Sequence, residues 1–187
     1  MGILTTSNIN PVAGSGLINL GSNVLMTEGQ VVQTQYVRTD VRATYTALNS
    51  GNGTEITQLR VSITPRAATS WIWIRYTVHY EMHHDTVFLV QQNSSLIGYN
   101  LERGNVRHSG ILTPLYDNNY DSTPQNSTIN WFVKAGSTAS RYYSLAVRSS
   151  SGGQFTFALN RSVGALGQND YENGVSYGIV REIYSRT

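Results

Sequence analysis

The sequence contains no cysteine and has few charged residues. Without cysteine, a disulfide scaffold, thiol catalysis and cysteine metal ligands are excluded. Charged residues make up 13% of the chain, against about 25% in typical globular proteins. Lys134 is the only lysine, and the arginines that carry the rest of the positive charge are scattered along the sequence. A nucleic-acid footprint requires a contiguous basic stripe, so we expect no nucleic-acid partner.

Long apolar runs are also missing. No segment reaches the roughly 18 consecutive apolar residues that a membrane-spanning helix needs, so we expect no membrane partner. The first residues, MGILTTSN, lack the charged segment followed by an apolar stretch that marks a secretory signal. We therefore expect synthesis in a cytoplasm without export by a signal peptide.

Serine, threonine, asparagine, glutamine and 17 glycines take the place of the charged residues. Short alternating runs such as VVQTQYVRT and WIWIRYTVHY lie between clusters of glycine, serine and asparagine, as half-buried antiparallel strands require. About ten such strands, with turn signals every 8–15 residues, are typical of a sandwich or jelly roll. The sequence predicts an all-β, antiparallel, jelly-roll-like β-sandwich over residues 30–187.

Alternation along residues 71–80 separates two faces of one strand. We assign Ile72, Ile74, Tyr76 and Val78 to the core. Trp71 and Trp73 lie on the opposite face, and because these side chains are too large to be exposed without reason, we predict that they contact a partner. Further predicted core residues are Val61, Ile63, Phe132, Phe155 and Phe157.

Residues 1–29 show neither a helical nor a two-residue period. Single apolar residues lie there among glycine, serine and asparagine. A frayed terminus has this composition, but so does an extended arm that lies on a partner chain. We predict an N-terminal arm over residues 1–29 whose anchors are Ile3, Leu4, Ile9, Val12, Leu17, Ile18 and Leu20.

Few residues are suited to metal binding or catalysis. His79, His83, His84 and Asp85 form a cluster that resembles a metal site, but on a strand His79 and His83 would lie about 13 Å apart. The acids of the loops at 117–128 and 164–174 lie among asparagine, serine and tyrosine, a solvated setting that does not raise a carboxyl pKa for catalysis. We therefore expect no metal, no cofactor and no enzymatic activity.

Tyrosines in the same loops suggest an alternative role. Tyrosine supplies contact area at low entropic cost, which suits recognition of sugars or neighbouring subunits. Candidate ligand residues are Tyr116, Tyr120 and Tyr171.

Several segments resemble a recurrent β-rich module in structural proteins of tailed bacteriophages, notably phages of cyanobacteria and other marine bacteria. The segments are VVQTQYVRTD, LRVSITPRAATSWIWIRYTV, SRYYSLAVRSSSGGQFTFALNRS and SYGIVREI. In that family a "VVQT…TD" strand opens the module, an "ITP…S" turn precedes a hydrophobic strand, and "LNRS…EI" closes it. The likeness spans residues 30–184 and brings no catalytic residue with it.

The resemblance implies a virion structural protein on the outer surface of the particle. A capsid decoration (cement) protein that binds and stabilises the major capsid protein is our first expectation, because residues 1–29 suit a strap and are too short for a stalk. The alternative is a tail-fibre or head-fibre domain that contacts a receptor, glycan or protein, on the host surface. In both roles we expect a homotrimer, which would bury apolar surface and strand edges.

Overall fold

The structure is a computed structural model that describes residues 27–97, 123–164 and 173–187. Within these ranges the chain forms two antiparallel sheets, one short 3-10 turn at Thr57–Leu59 and no α-helix. The predicted all-β antiparallel sandwich is confirmed, whereas jelly-roll connectivity stays a prediction. No helix in these ranges is long and apolar enough to cross a membrane.

Each sheet draws its strands from distant parts of the sequence. The first sheet contains β1 (Val31–Thr39), β2 (Ala43–Ala47), β5 (Trp71–Met82), β8 (Gln125–Lys134), β10 (Phe155–Leu159) and β11 (Ser176–Ile183). The second contains β3 (Thr54–Glu55), β4 (Val61–Ile63), β6 (Thr86–Gln92), β7 (Ser95–Leu96) and β9 (Arg141–Ser149).

Strand β5 is the centre of the first sheet. On one side it pairs with β8 from Trp71 to Tyr80. On the other side it pairs first with β11 and then, from Tyr80 to Met82, with β10. Strand β11 pairs in turn with β1, and β10 with β2. The second sheet is built around β9, which pairs with β6 on one side and with β3 and β4 on the other.

The core lies between the two sheets. Every second residue of β5, from Ile72 to Tyr80, is fully or almost fully buried, as the alternation predicts. The Tyr80 ring meets Phe88 edge-on, with centroids 4.9 Å apart, and stacks on Phe157 at 5.8 Å. Aromatic pairs of this geometry add about 0.5–1.5 kcal/mol each beyond the area they bury. Other core residues are Val61, Ile63, Tyr143, Leu145, Val147 and Leu159.

Two predicted core residues are placed differently. Phe132 is 53% exposed, so its assignment to the core was wrong. Strand β8 begins at Gln125, inside the predicted loop, and its register buries Ile129 and turns Phe132 to the opposite face. Phe155 is only half-buried and stacks on the His83 ring at 3.7 Å, at the edge of the core.

The chain ends are tied together where the described residues begin. Gly29 donates a backbone hydrogen bond to the Tyr184 carbonyl, and the Tyr184 N–H donates to the Gln30 carbonyl. The Arg186 N–H donates to the Glu28 carboxylate at 3.0 Å. The predicted anchors of the arm, from Ile3 to Leu20, lie outside the described residues.

Gly178 makes room for a core aromatic ring. It lies on the inner face of β11, directly opposite Tyr76 of β5. A Cβ atom at this position would lie 2.5 Å from Cε1 of the Tyr76 ring and 3.2 Å from a methyl group of Val61. Both neighbours are buried, so neither side chain can move away freely.

We predict that Gly178→Ala destabilises the sandwich by about 1–3 kcal/mol, the usual cost of overpacking. The free energy of unfolding, measured by urea denaturation, tests this. Gly152→Ala is the matched control, because a Cβ atom there meets nothing within 4 Å. Equal stability of the two variants would contradict the prediction.

Candidate functional site: the outer face of the first sheet

The solvent side of the first sheet carries an ordered array of side chains, which we call the outer face. It is formed by alternate residues of β1, β11, β5 and β8, the residues not used for the core. Cross-strand pairing aligns them in four rows. The rows are Val31, Ile183, Trp71 and Lys134; Thr34, Arg181, Trp73 and Phe132; Tyr36, Ile179, Arg75 and Asn130; and Arg38, Tyr177, Thr77 and Thr128.

A β-bulge between Val31 and Gln33 completes the first row. The register of β1 against β11 shifts at this point, so Val31, and not Val32, lies opposite Ile183. Simple alternation groups Val31 with Gln33 on one side of the strand. The bulge separates them, because Gln33 turns inward to donate a hydrogen bond to Glu182 while Val31 is 46% exposed.

Aromatic rings dominate one end of the outer face. Trp73 and Phe132 stack in parallel with centroids 5.8 Å apart. Cations cover both tryptophans: the Lys134 ammonium lies 4.3 Å from the Trp71 ring and the Arg181 guanidinium 5.1 Å from the Trp73 ring. Trp71 is nevertheless 39% exposed. Tyr36, in the third row, and Tyr177, in the fourth row, are further exposed aromatic residues on the neighbouring strands β1 and β11.

The outer face is positively charged. Each row contains one cation, namely Lys134, Arg181, Arg75 or Arg38, and no row contains an aspartate or glutamate. In the described part of the chain, the ion pairs are Arg60 with Glu55 and His84 with Asp85, and both lie elsewhere. No aspartate or glutamate among the described residues therefore forms an ion pair with these four cations.

A buried carboxylate on the inner side of the sheet stabilises the segment next to Trp71. Glu182 of β11 is fully buried and accepts hydrogen bonds from the backbone N–H groups of Arg66 and Ala67 and from the Gln33 amide. These contacts hold the segment that leads into Trp71. Burial raises the pKa of Glu182, but the hydrogen bonds from Gln33, Arg66 and Ala67 outweigh it, so the pKa lies below its usual value.

Three of the four residues that the sequence grouped as resembling a metal site lie together in the structure. The structure brings together His83, His84 and Asp85 at the turn from β5 to β6, with ligand atoms within 4.8 Å of one another, and leaves His79 on β5. The His83 ring stacks between His84 and Phe155, and its Nδ1 accepts a hydrogen bond from the Asp85 N–H. Burial lowers the pKa of His83 and the neighbouring His84 lowers it further, whereas Asp85 acts in the opposite direction. The three residues lie close enough to hold an ion, and a neutral imidazole is the form of histidine that binds metals, so the absence of a metal stays a prediction.

The structure places two of the predicted interface residues, Trp71 and Trp73, next to each other on the outer face. The candidate ligand residues Tyr116, Tyr120 and Tyr171 lie outside the described residues, as do the arm anchors. Alternation along β5 also places Arg75 on the same side as Trp71 and Trp73. Sequence reasoning missed Phe132, Arg181 and Tyr36 as members of this surface, because only the pairing of β8 and β11 with β5, and of β1 with β11, brings them in.

Comparison with known proteins gives limited similarity. No protein-family model matches the chain, and no curated protein matches it. Among solved structures, the Gt strain of infectious bursal disease virus matches with a TM-score of 0.39 and 11% identity, covering 98% of this chain. The structure of the Gx strain matches with a TM-score of 0.34 and 11% identity over 91% of this chain, and that of T=1 particles derived from the virus matches with a TM-score of 0.34 and 14% identity over 90% of this chain.

The chain spans just under half of each of these viral chains, at 47%, 42% and 41% of their lengths. At these scores the matches carry no argument about the function of this chain.

We predict that Glu182→Gln lowers the free energy of unfolding at pH 7 by about 1.5–3 kcal/mol, because the backbone donors lose a charged acceptor. Since the pKa of Glu182 is lowered by folding, its contribution is present above about pH 4.5 and is lost as the pH falls through the folded-state value. When unfolding is measured in urea at pH 7, 5, 4 and 3, the free energy of unfolding should fall less with decreasing pH for the variant than for the wild type. Glu28→Gln, at an exposed carboxylate with one hydrogen bond, is the control. Parallel pH profiles for the wild type and Glu182→Gln would contradict the prediction.

Proposed function

We propose that the protein is a non-enzymatic structural component of a virus particle. In this proposal it decorates the outer surface of a capsid, attaches to the major capsid protein and stabilises the shell. The sequence motifs that resemble structural proteins of tailed bacteriophages supply the setting. The observation that carries the proposal is the outer face, which exposes Trp71, Phe132, Tyr36 and Tyr177 together on one open sheet surface.

Exposed aromatic side chains in this number favour a protein partner. Soluble monomers rarely expose large contiguous apolar patches without a function. Tryptophan, tyrosine and arginine are also the residues that most often dominate the energy of protein interfaces. The cations over Trp71 and Trp73 hold these rings in position before binding, which reduces the entropy lost on association.

The predicted arm would join the sandwich beside the same surface. Val31 belongs to the first row, and the described chain begins only four residues earlier, next to the C-terminal strand. Lys134, also in the first row, donates hydrogen bonds to Thr69, Ser185 and the carbonyl of Thr187. An arm starting here and the outer face could therefore engage one shell together, and weak contacts would add through multivalency.

We predict that the double variant Trp71→Ala/Phe132→Ala binds undecorated capsids at least tenfold more weakly than the wild type, since each ring is a large exposed contact. Co-sedimentation with purified capsids measures this. Val41→Ala/Leu48→Ala is the matched control, because both residues are exposed and apolar but lie off the outer face. Deletion of residues 1–25 should leave a folded sandwich that also attaches more weakly.

Full occupancy of capsids by the aromatic double variant and by the truncated protein would contradict the decoration role. Binding of labelled protein to host cells, with none on tail-less heads, would instead favour a fibre domain that recognises a host receptor. The homotrimer is part of the proposal, and sedimentation equilibrium of the free and capsid-bound protein tests it.

Absence of catalysis is a separate prediction. The acids Asp117, Asp121, Asp170 and Glu172 lie outside the described residues, and the sequence places them in polar loops. Changing all four to the corresponding amides should leave capsid attachment unchanged, and the purified wild-type protein should release no reducing sugar from host polysaccharide. Release of sugar that Asp121→Ala abolishes would show an enzyme.

A further inference from the structure

We propose that Arg75 and Asn130, at the centre of the outer face, bind a carboxylate carried by an acidic segment of the partner protein. This inference rests on the proposed function and deepens it, because it names the chemistry by which the partner is recognised. It starts from two neighbouring side chains that offer hydrogen-bond donors and lack an acceptor.

Trp73 fixes the orientation of Asn130. The indole N–H of Trp73 donates to Oδ1 of Asn130 at 3.3 Å across the β5–β8 pair. This bond uses the acceptor of the amide, so the remaining group of Asn130 is its NH2, a double donor. Asn130 is the direct cross-strand partner of Arg75, and its amide therefore lies beside a guanidinium that also contains only donors.

Arg75 carries a donor that the described residues leave unsatisfied. Its Nε atom is buried from solvent and has no hydrogen-bond partner. No carboxylate of the described residues forms an ion pair with it. Leaving a buried charged donor unpaired is costly, and a carboxylate is the acceptor whose geometry matches the guanidinium fork. Because Nε is covered in the free protein, the Arg75 side chain must turn outward for a partner carboxylate to meet it.

Two further cations flank this point. Arg181 lies one row away on the neighbouring strand β11. Arg38 lies one row away in the other direction on β1, two strands from β5, at about 12 Å between Cα positions. Their charges are not offset by any aspartate or glutamate of the outer face. They would attract an acidic segment and orient it before the contact with Arg75 forms.

The shape and surroundings of the outer face favour a protein carboxylate over an acidic sugar. Binding sites for small molecules are mostly concave, whereas Arg75 lies on an open four-stranded surface about 15 Å wide. Exposed rings surround it: Phe132 and Trp71 lie one and two rows away towards one end, Tyr36 lies in the same row on β1, and Tyr177 lies one row away towards the other end. A partner with a central acid and flanking apolar side chains matches this order.

The direct test follows the Arg75 Nε–H signal by NMR in the full-length protein. The probe is a synthetic peptide of alternating glutamate and leucine, and the same peptide with glutamine in place of glutamate is the control. We expect the glutamate peptide to shift the Arg75 signal in a saturable, salt-sensitive manner and to bind at least tenfold more tightly than the glutamine peptide. Equal binding of the two peptides, or an unmoved Arg75 signal, would overturn the proposal.

Variants separate recognition from folding. Arg75→Gln should weaken binding of the glutamate peptide at least tenfold, while Arg42→Gln, which removes an exposed arginine away from the outer face, should not. Asn130→Asp keeps the side-chain shape but places a carboxylate beside Arg75, so it should block the peptide to a similar extent with an unchanged circular dichroism spectrum. Unaltered binding by Asn130→Asp would argue against Arg75 as the contact.

A second binding experiment, with oligogalacturonate as the ligand, distinguishes a protein carboxylate from a sugar carboxylate. Tighter binding of this sugar than of the glutamate peptide, lost in Arg75→Gln, would overturn the protein segment in favour of an acidic glycan. The result is also separable from the proposed function. If Arg75→Gln binds capsids normally while Trp71→Ala/Phe132→Ala does not, the decoration role is supported and the carboxylate site is contradicted. If the wild-type protein binds the glutamate peptide but does not bind capsids, the carboxylate site is supported and the decoration role is contradicted.

Discussion

The pairing of β5 on both of its sides is the constraint on which the rest of the structure depends. Its inward residues form the middle of the core and its outward residues form the middle of the outer face. A slip of one residue would exchange the two sets and place Trp73 and Arg75 in the core. Burial of Ile72, Ile74, Tyr76 and Val78 therefore determines the register that also presents the tryptophans. Core stability and surface display are two consequences of one register.

Buried carboxylates hold the connections around this strand. Glu182 anchors the segment before β5, and Glu81, near the other end of the strand, accepts hydrogen bonds from the backbone N–H groups of Thr123 and Val163. Both glutamates are fully buried, and neither forms an ion pair among the described residues. Backbone donors satisfy them instead, which gives direction as well as energy, because N–H groups must point at the carboxylate. Segments distant in sequence are fixed in this way against β5.

Low charge content does not make the surface electrically uniform. Cations that are scattered in the sequence, three arginines and Lys134, converge on the outer face, one per row, because β1, β11, β5 and β8 each contribute one. The glutamates of the same sheet are buried: Glu182 points inward, and Glu81, beyond the four rows on the outward side of β5, is covered by the segments of Thr123 and Val163. The outer face is therefore cationic and aromatic, while hydrogen bonds from the backbone satisfy the acids of the sheet. A surface of this kind selects partners by charge as well as by apolar contact.

The alternation of apolar and polar residues determined much of the fold by itself. Val31–Thr39 was predicted with its observed bounds, and the core side of β5 was predicted residue by residue, because a strand buried on one face must repeat every two residues. Two outcomes lay beyond this rule. The bulge at Val31 and the exposure of Phe132 depend on which strand pairs with which and in what register, and a local pattern contains no information about a partner strand. For the same reason the sequence predicted the outward position of Trp71 and Trp73 but not the cations that surround them. Only tertiary pairing brings Arg181, Asn130 and Phe132 beside those rings and Arg38 onto the same face, since all four come from strands more than thirty residues away in the chain.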